Sequence, residues 1–157
     1  MNAPRIQTTE DDALDLGDLT KSLGFLVRLA QVRMYDLFFN GFDGLDVRPG
    51  EITTLWVIDL NPDVRQGPVA RELNIKPAHM TKLVQRLVAD GLIKRTIPPE
   101  DRRSVRLSLT KQGKARLEDL RQTFLNIHDS ENTGLTTDET EHLRVLLHKL
   151  AFPEDRL

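Results

Sequence analysis

The sequence predicts a mainly α chain that carries one small β-hairpin. Three observations support this. Between Gln66 and Thr110, two short stretches with helical apolar spacing meet at Asn74 and run directly into two strand-like stretches. Long stretches toward both ends, 16–40 and 111–151, also place apolar residues at helical intervals. Charge, finally, is segregated. Arg65 to Arg116 holds 13 Lys/Arg against 4 Asp/Glu, a net of +9, while the remaining residues hold 9 against 20, a net of −11. The whole chain of 157 residues is therefore only −2, and the basic block coincides with the helix-and-hairpin segment. Such a block is the footprint of phosphate contact.

Met1 to Asp15 is polar and acidic and reads as a mobile arm. Leu16 to about Asn40 reads as one long helix. Leu16, Leu19, Leu23, Leu26, Ala30 and Leu37 form one stripe, and Phe25, Leu29, Val32 and Phe39 a second. Two stripes exceed what a surface helix of a small monomer buries, so a second subunit is expected against the extra face. Gly41 to Gly50 is a loop. Glu51 to Leu60 is a helix with Ile52, Leu55, Trp56 and Ile58, stopped by Asn61-Pro62-Asp63.

Pro68 to Leu73 is a short helix that buries Val69, Ala70 and Leu73, with Asn74 supplying the turn. Pro77 opens the next helix, where its missing N–H costs nothing. Met80, Leu83, Val84, Leu87 and Val88 form its apolar stripe, and Gly91 ends it. Leu92–Ile97 and Val105–Leu109 are the strands. Pro98 and Pro99 break the first, and Glu100 to Ser104 forms the tip. Lys111 to about His128 is helical, with Leu117, Leu120, Phe124 and Ile127 inward. Thr136 to Ala151 is the last helix, with Thr136 and Glu139 spaced as a capping box and Leu143, Leu146, Leu147 and Leu150 as its apolar face.

The outer face of the helix that starts at Pro77 carries His79, Thr81, Lys82, Gln85 and Arg86, all donors and none acidic. A charged helix face by itself is usually only solvated. Here the adjoining hairpin and the basic block favour the major groove of DNA. His79 has three open roles: a base edge, a phosphate, or solvent. An arginine on a protruding ribbon can enter a minor groove; strand alternation does not choose between Arg102 and Arg103. Arg95 and Arg106 flank the tip and either touch phosphate or pair with local acids.

These residues resemble the MarR family of bacterial transcriptional regulators. The matching positions are Val69-Ala70 and Leu73, Met80-Thr81-Lys82-Leu83 with Arg86-Leu87, Gly91-Leu92-Ile93, Asp101 with Arg103, and Leu109-Thr110 with Gly113. The resemblance covers roughly Leu16 to Leu150. Lys76 departs from it, because Ser, Asp or Asn is commoner at a helix cap. The resemblance implies a winged helix-turn-helix core flanked by N- and C-terminal dimerisation helices. In that division 1–15 is the arm, 16–48 and 111–157 dimerise, and 49–110 binds double-stranded DNA. It implies a homodimer with recognition helices about 34–36 Å apart on a pseudo-palindrome. In the family, the wing Asp steadies its Arg, which assigns support to Asp101 and groove entry to Arg103. It also implies a small-molecule effector bound between the dimer helices and the DNA-binding lobe. Arg28, Tyr35, Trp56 and Phe124 are the candidate lining, and aromatic acids or their CoA thioesters the candidate class. Those aromatics, with Phe38 and Phe39, either line a pocket or only fill a core. Arg28 and Arg33 either meet an anionic effector or bridge subunits.

Other functions fit poorly. With no cysteine, disulfides, thiolate metal sites and thiol redox sensing drop out. His128, His142 and His148 do not form a close pair, since His142 and His148 are six apart and face different sides of a helix; no metal and no cofactor is expected. There is no nucleophile–base constellation or phosphate-cradling glycine loop, so an enzyme is not expected. No signal peptide or membrane-length apolar run appears, so a cytoplasmic protein without a membrane partner is expected. Two rivals remain: a ligand-independent architectural DNA-binding protein, and a winged module whose basic face binds another protein.

Overall fold

A computed structural model describes residues 14–99 and 104–153. The described residues up to Asp36 form one compact unit, and those from Leu37 onward form a second.

The N-terminal unit holds a short 3-10 helix, Gly17–Lys21, and most of helix α1, Leu23–Gly41. The sequence predicted one helix from Leu16, but the chain breaks at Ser22. Gly17 sits at φ +47 and Ser22 is extended, with ψ 117. The Ser22 hydroxyl accepts the Phe25 amide at 3.5 Å. A serine that can bond a free helical amide competes with the helix interior and starts a new helix instead. On α1, Leu23, Leu26, Val27, Leu29 and Val32 are all exposed.

The second unit continues with α2 (Glu51–Leu60), β1 (Val64–Arg65), α3 (Gln66–Glu72), α4 (Pro77–Ala89), β2 (Ile93–Thr96), β3 (Arg106–Leu109), α5 (Lys111–Asn126), α6 (Ser130–Thr133) and α7 (Thr137–Ala151). The sheet is antiparallel in the order β1-β3-β2. Leu107 is its centre, pairing with Val64 on one side and Arg95 on the other. The sequence predicted the β2–β3 hairpin but not β1, whose two residues are too few to show any period. The core gathers Ile52, Leu55 and Ile58 of α2, Met80, Val84 and Leu87 of α4, and Ile93, Leu107 and Leu109 of the sheet. Phe38, Phe42 and Val47 enter it from before α2, and Leu117, Leu120 and Ile127 from after the hairpin.

Two backbone devices set the site. Asn74 turns α3 into α4 in the left-handed region, at φ 50, a conformation that Asn tolerates better than most residues. The second device ties the hairpin base to α5. The Thr110 amide donates to Leu92 O at 3.0 Å. The Thr110 hydroxyl donates to Gly91 O at 2.6 Å and accepts the Gly113 amide at 3.0 Å, capping α5. A Cβ on Gly113 would lie 1.9 Å from Leu92 O, so only glycine fits there. The Leu109-Thr110…Gly113 pattern therefore has a packing cause.

α7 starts with the expected capping box: Thr136 accepts the Glu139 amide, and Glu139 accepts the Thr136 amide at 2.8 Å. Hydrogen bonds from the Thr136 backbone and then its side chain hold the Glu139 carboxyl below its ordinary range. Leu143, Leu146, Leu147 and Leu150 of α7 are exposed. Among the described residues, no helix is long and apolar enough to cross a membrane.

Candidate nucleic-acid interface

α4 is the outward-facing helix of the helix-turn-helix. Its inner stripe is sealed, with Met80, Val84 and Leu87 at 0%, 1% and 0% exposure. That burial fixes the helix on the core and turns His79, Thr81, Lys82 and Gln85 outward; all four are exposed. Lys76 makes no side-chain cap, and Pro77 opens the helix without an amide to satisfy. Thr81 is tied down. Its hydroxyl donates to Pro77 O at 3.0 Å and accepts Gln66 Nε2 at 3.1 Å. Nothing in the sequence pattern singles out Gln66, because its partner lies fifteen residues on, in another helix.

Arg86 departs from the sequence reading. It was expected on the outer face with Lys82 and Gln85. Instead its side chain is 21% exposed, and Nη2 meets Glu51 Oε2 at 2.7 Å. The cause is Glu51, a carboxylate 3% exposed at the start of α2. A buried carboxylate requires a countercharge, and Arg86 lies on the flank of the α4 stripe, within reach. Arg116 Nε of α5 stands 3.8 Å from Glu51 Oε1, and Asp90 lies 4.0 Å from Arg86 Nε. Burial pushes the Glu51 carboxyl above its ordinary value, and the two guanidiniums pull it back. The cavity of about 430 Å³ beside this cluster is lined by Asp46, Glu51, Asp90 and Asp119 against Arg86 and Arg116. Four carboxylates against two guanidiniums give it no attraction for phosphate.

On the hairpin, Lys94, Arg95 and Thr96 are exposed. Arg106 pairs with a local acid: its Nη1 donates to Asp63 Oδ2 at 3.1 Å. The Asp63 amide in turn donates to the Ser108 hydroxyl at 3.1 Å, which fixes β1 against β3. Asp101, Arg102 and Arg103 at the tip lie outside the described residues.

Of the expected effector lining, Trp56 and Phe124 come together, ring centroids 6.3 Å apart and both half-buried. The Arg121 guanidinium lies over the Trp56 ring at 4.2 Å. Sequence reasoning missed Arg121, since its contact spans two helices far apart in the chain. Arg28 and Tyr35 are exposed on α1 in the N-terminal unit. Phe38 is core, packed on Phe42 at 4.9 Å, and Phe39 is exposed. His142 is exposed, and the His148 ring lies tilted against Phe152, centroids 4.9 Å apart. Among the described residues, no three His, Asp or Glu converge as metal ligands would.

Residues 47–105 match the model of the MarR family. The HTH-type transcriptional repressor YetL of Bacillus subtilis is 34% identical over 120 residues, spanning 75% of this chain and 70% of its own. The chain belongs to the MarR family. As a MarR-family member it is a DNA-binding transcription regulator with a winged helix fold, not an enzyme. Solved MarR-like structures agree in shape. The transcriptional repressor CouR bound to a 23-mer DNA duplex superposes with a TM-score of 0.80 at 29% identity, covering 89% of this chain and 99% of that one. Bordetella bronchiseptica BpsR, whose DNA binding is regulated by 6-hydroxynicotinic acid, superposes at 0.76 with 25% identity, covering 83% of this chain and 98% of that one. In MarR terms, α3 and α4 are the helix-turn-helix, α4 is the recognition helix, and β2–β3 is the wing.

Proposed function

We propose that this chain is a cytoplasmic, ligand-responsive repressor that binds a pseudo-palindromic operator as a homodimer. The observation that carries this is the recognition helix: a sealed apolar stripe with His79, Thr81, Lys82 and Gln85 exposed together beside a basic hairpin. Lys82 and the hairpin cations supply affinity through phosphate, and Thr81 and Gln85 read bases. By the family resemblance Arg103, with Asp101 in support, is assigned to the minor groove, and Arg102 is its alternative. Arg86 is reassigned from readout to holding α4 on α2. The exposed leucines of α1 and of α7 are the dimer surfaces; residues of this size are rarely left bare in such number on a monomer.

The effector is an aromatic acid. Support comes from Trp56 and Phe124 as an aromatic wall with the Arg121 cation beside them, and from BpsR, a relative in shape that answers to such an acid. The effector acts by binding more tightly to the form unfit for DNA; equal affinity for both forms would release nothing.

Fluorescence anisotropy with DNA from upstream of the protein's own gene tests this, run across a salt series against scrambled DNA. The expected result is sequence-dependent binding with a steep negative salt slope, reversed by a panel of aromatic acids and acyl thioesters. Sequence-dependent binding that no member of the panel reverses leaves a repressor without this effector class. Equal binding to both DNAs favours the architectural alternative. Absence of binding by the folded protein overturns the proposal.

A further inference from the structure

We propose that Thr81 reads a thymine through its methyl group, and that Gln66 is the positioning residue that holds it so. This rests on the reading of α4 as the DNA-reading helix. A threonine hydroxyl has one proton to give and two lone pairs. The proton of Thr81 goes to Pro77 O at 3.0 Å, and one lone pair accepts Gln66 Nε2 at 3.1 Å. Exchanging the oxygen and nitrogen of the Gln66 amide would not free it. The proton would then choose between two internal acceptors, Pro77 O and Gln66 Oε1, and would still be spent inside the protein.

Thr81 therefore has no donor for the acceptors that the major groove presents: O6 and N7 of guanine, N7 of adenine, or O4 of thymine. It is nevertheless exposed on the helix face that His79, Lys82 and Gln85 share. With the proton spent and one lone pair filled, the methyl is the larger free part of the side chain; the remaining lone pair can take only a donor, N6 of adenine or N4 of cytosine, and Thr81→Val, which lacks it, separates the two. Thymine is the one base of DNA that presents a methyl in the major groove. The match is apolar, and it reads a base without competing for water. Gln66, at the first position of α3, is half-buried and reaches across the helix-turn-helix to Thr81. It restrains the Thr81 rotamer from a helix that does not itself carry the recognition residues.

The experiment uses the full chain and a randomised duplex library. Wild type, Thr81→Ser, Thr81→Val and Gln66→Ala each select sequences, and thermal melting confirms that each variant is folded. The wild-type selection is expected to enrich a thymine at one position in each half-site. Replacing that thymine by deoxyuridine, which lacks only the methyl, should weaken binding about fourfold, the worth of one buried methyl group. Thr81→Val keeps a methyl and should keep the penalty. Thr81→Ser keeps the hydroxyl and its hydrogen bonds but should lose the penalty. Gln66→Ala should shrink it without altering the rest of the selected sequence. If wild type selects a sequence and Thr81→Ser shows the same deoxyuridine penalty, the methyl assignment is overturned while operator binding stands. An unchanged penalty in Gln66→Ala overturns the positioning role alone. If wild type selects nothing, the operator reading fails and this one with it.

Discussion

Arg86→Met tests whether the buried ion pair holds the recognition helix. Glu51 is 3% exposed, and its strongest partner is Arg86 at 2.7 Å. After the substitution only Arg116 remains, at 3.8 Å. Removing one partner of a buried pair costs about 3–5 kcal/mol. The lower end applies here, because Arg116 survives and the Arg86 side chain is 21% exposed. With a urea slope of about 2 kcal/mol/M, the midpoint should fall by about 1.5 M. Trp56, the single tryptophan, reports the transition, and protomer concentration must be held fixed because assembly contributes to stability.

The loss should depend on pH. The folded Glu51 pKa lies above the unfolded value of 4.5, so the folded state holds the proton more tightly. Its contribution to stability is whole below pH 4.5 and is lost as pH rises through the folded pKa. Without Arg86 a lowering influence is gone and the pKa climbs further. The deficit against wild type should be largest at neutral pH and close as pH falls toward 4.5. The double change Glu51→Leu with Arg86→Met removes the stranded charge and should recover most of the loss. A deficit below about 1 kcal/mol, or one that is flat from pH 7 to 4.5, would refute the ion pair as the link between α2 and α4.

Three further outcomes follow from the geometry. Gly113→Ala forces a Cβ to 1.9 Å from Leu92 O and should destabilise by about 3 kcal/mol in thermal melting, as overpacking does; Gly67→Ala, with nothing within 4 Å, is the control. Leu147→Asp places a charge among the exposed leucines of α7 and should raise the dimer dissociation constant by at least ~10-fold, or about 1.4 kcal/mol, in sedimentation; an unchanged sedimentation profile would remove α7 from the dimer surface. Arg103→Ala should weaken specific DNA binding by about 1–3 kcal/mol in the anisotropy assay, and unchanged affinity would transfer its role to Arg102.

What the sequence revealed follows from period and punctuation. The α4 stripe repeats over three turns, with Pro77 and Gly91 at its ends, and the helix lies where that pattern puts it. The capping box of α7 is a local, four-residue signal and was legible for the same reason. Arg86 was misplaced because periodicity tells the apolar side from the polar side but not which polar residue on the flank is recruited inward. Its partner stands 35 residues away, on a helix whose own pattern gives no sign that Glu51 is buried. Gln66 and Arg121 were invisible for the same reason: each acts through one contact made by the tertiary fold. Ser22 was hidden inside a continuing apolar stripe, where hydroxyl competition outweighs the pattern.

Thr110 joins the end of α4, the start of β2, the end of β3 and the start of α5 within one set of hydrogen bonds, and Gly113 presses α5 against it without a side chain between. The joint is a weld rather than a hinge. α5 has 16 residues, a rod of about 24 Å at about 1.5 Å per residue. Tilting such a rod by ~5° carries its end by ~2 Å, several times the ~0.5 Å over which a base-edge hydrogen bond keeps good geometry. The hairpin base and the end of α4 are both tied to that rod, so a tilt of α5 carries them together. If α4 and the hairpin read DNA as proposed, a disturbance at the far end of α5 too small to loosen the core is large enough to end recognition.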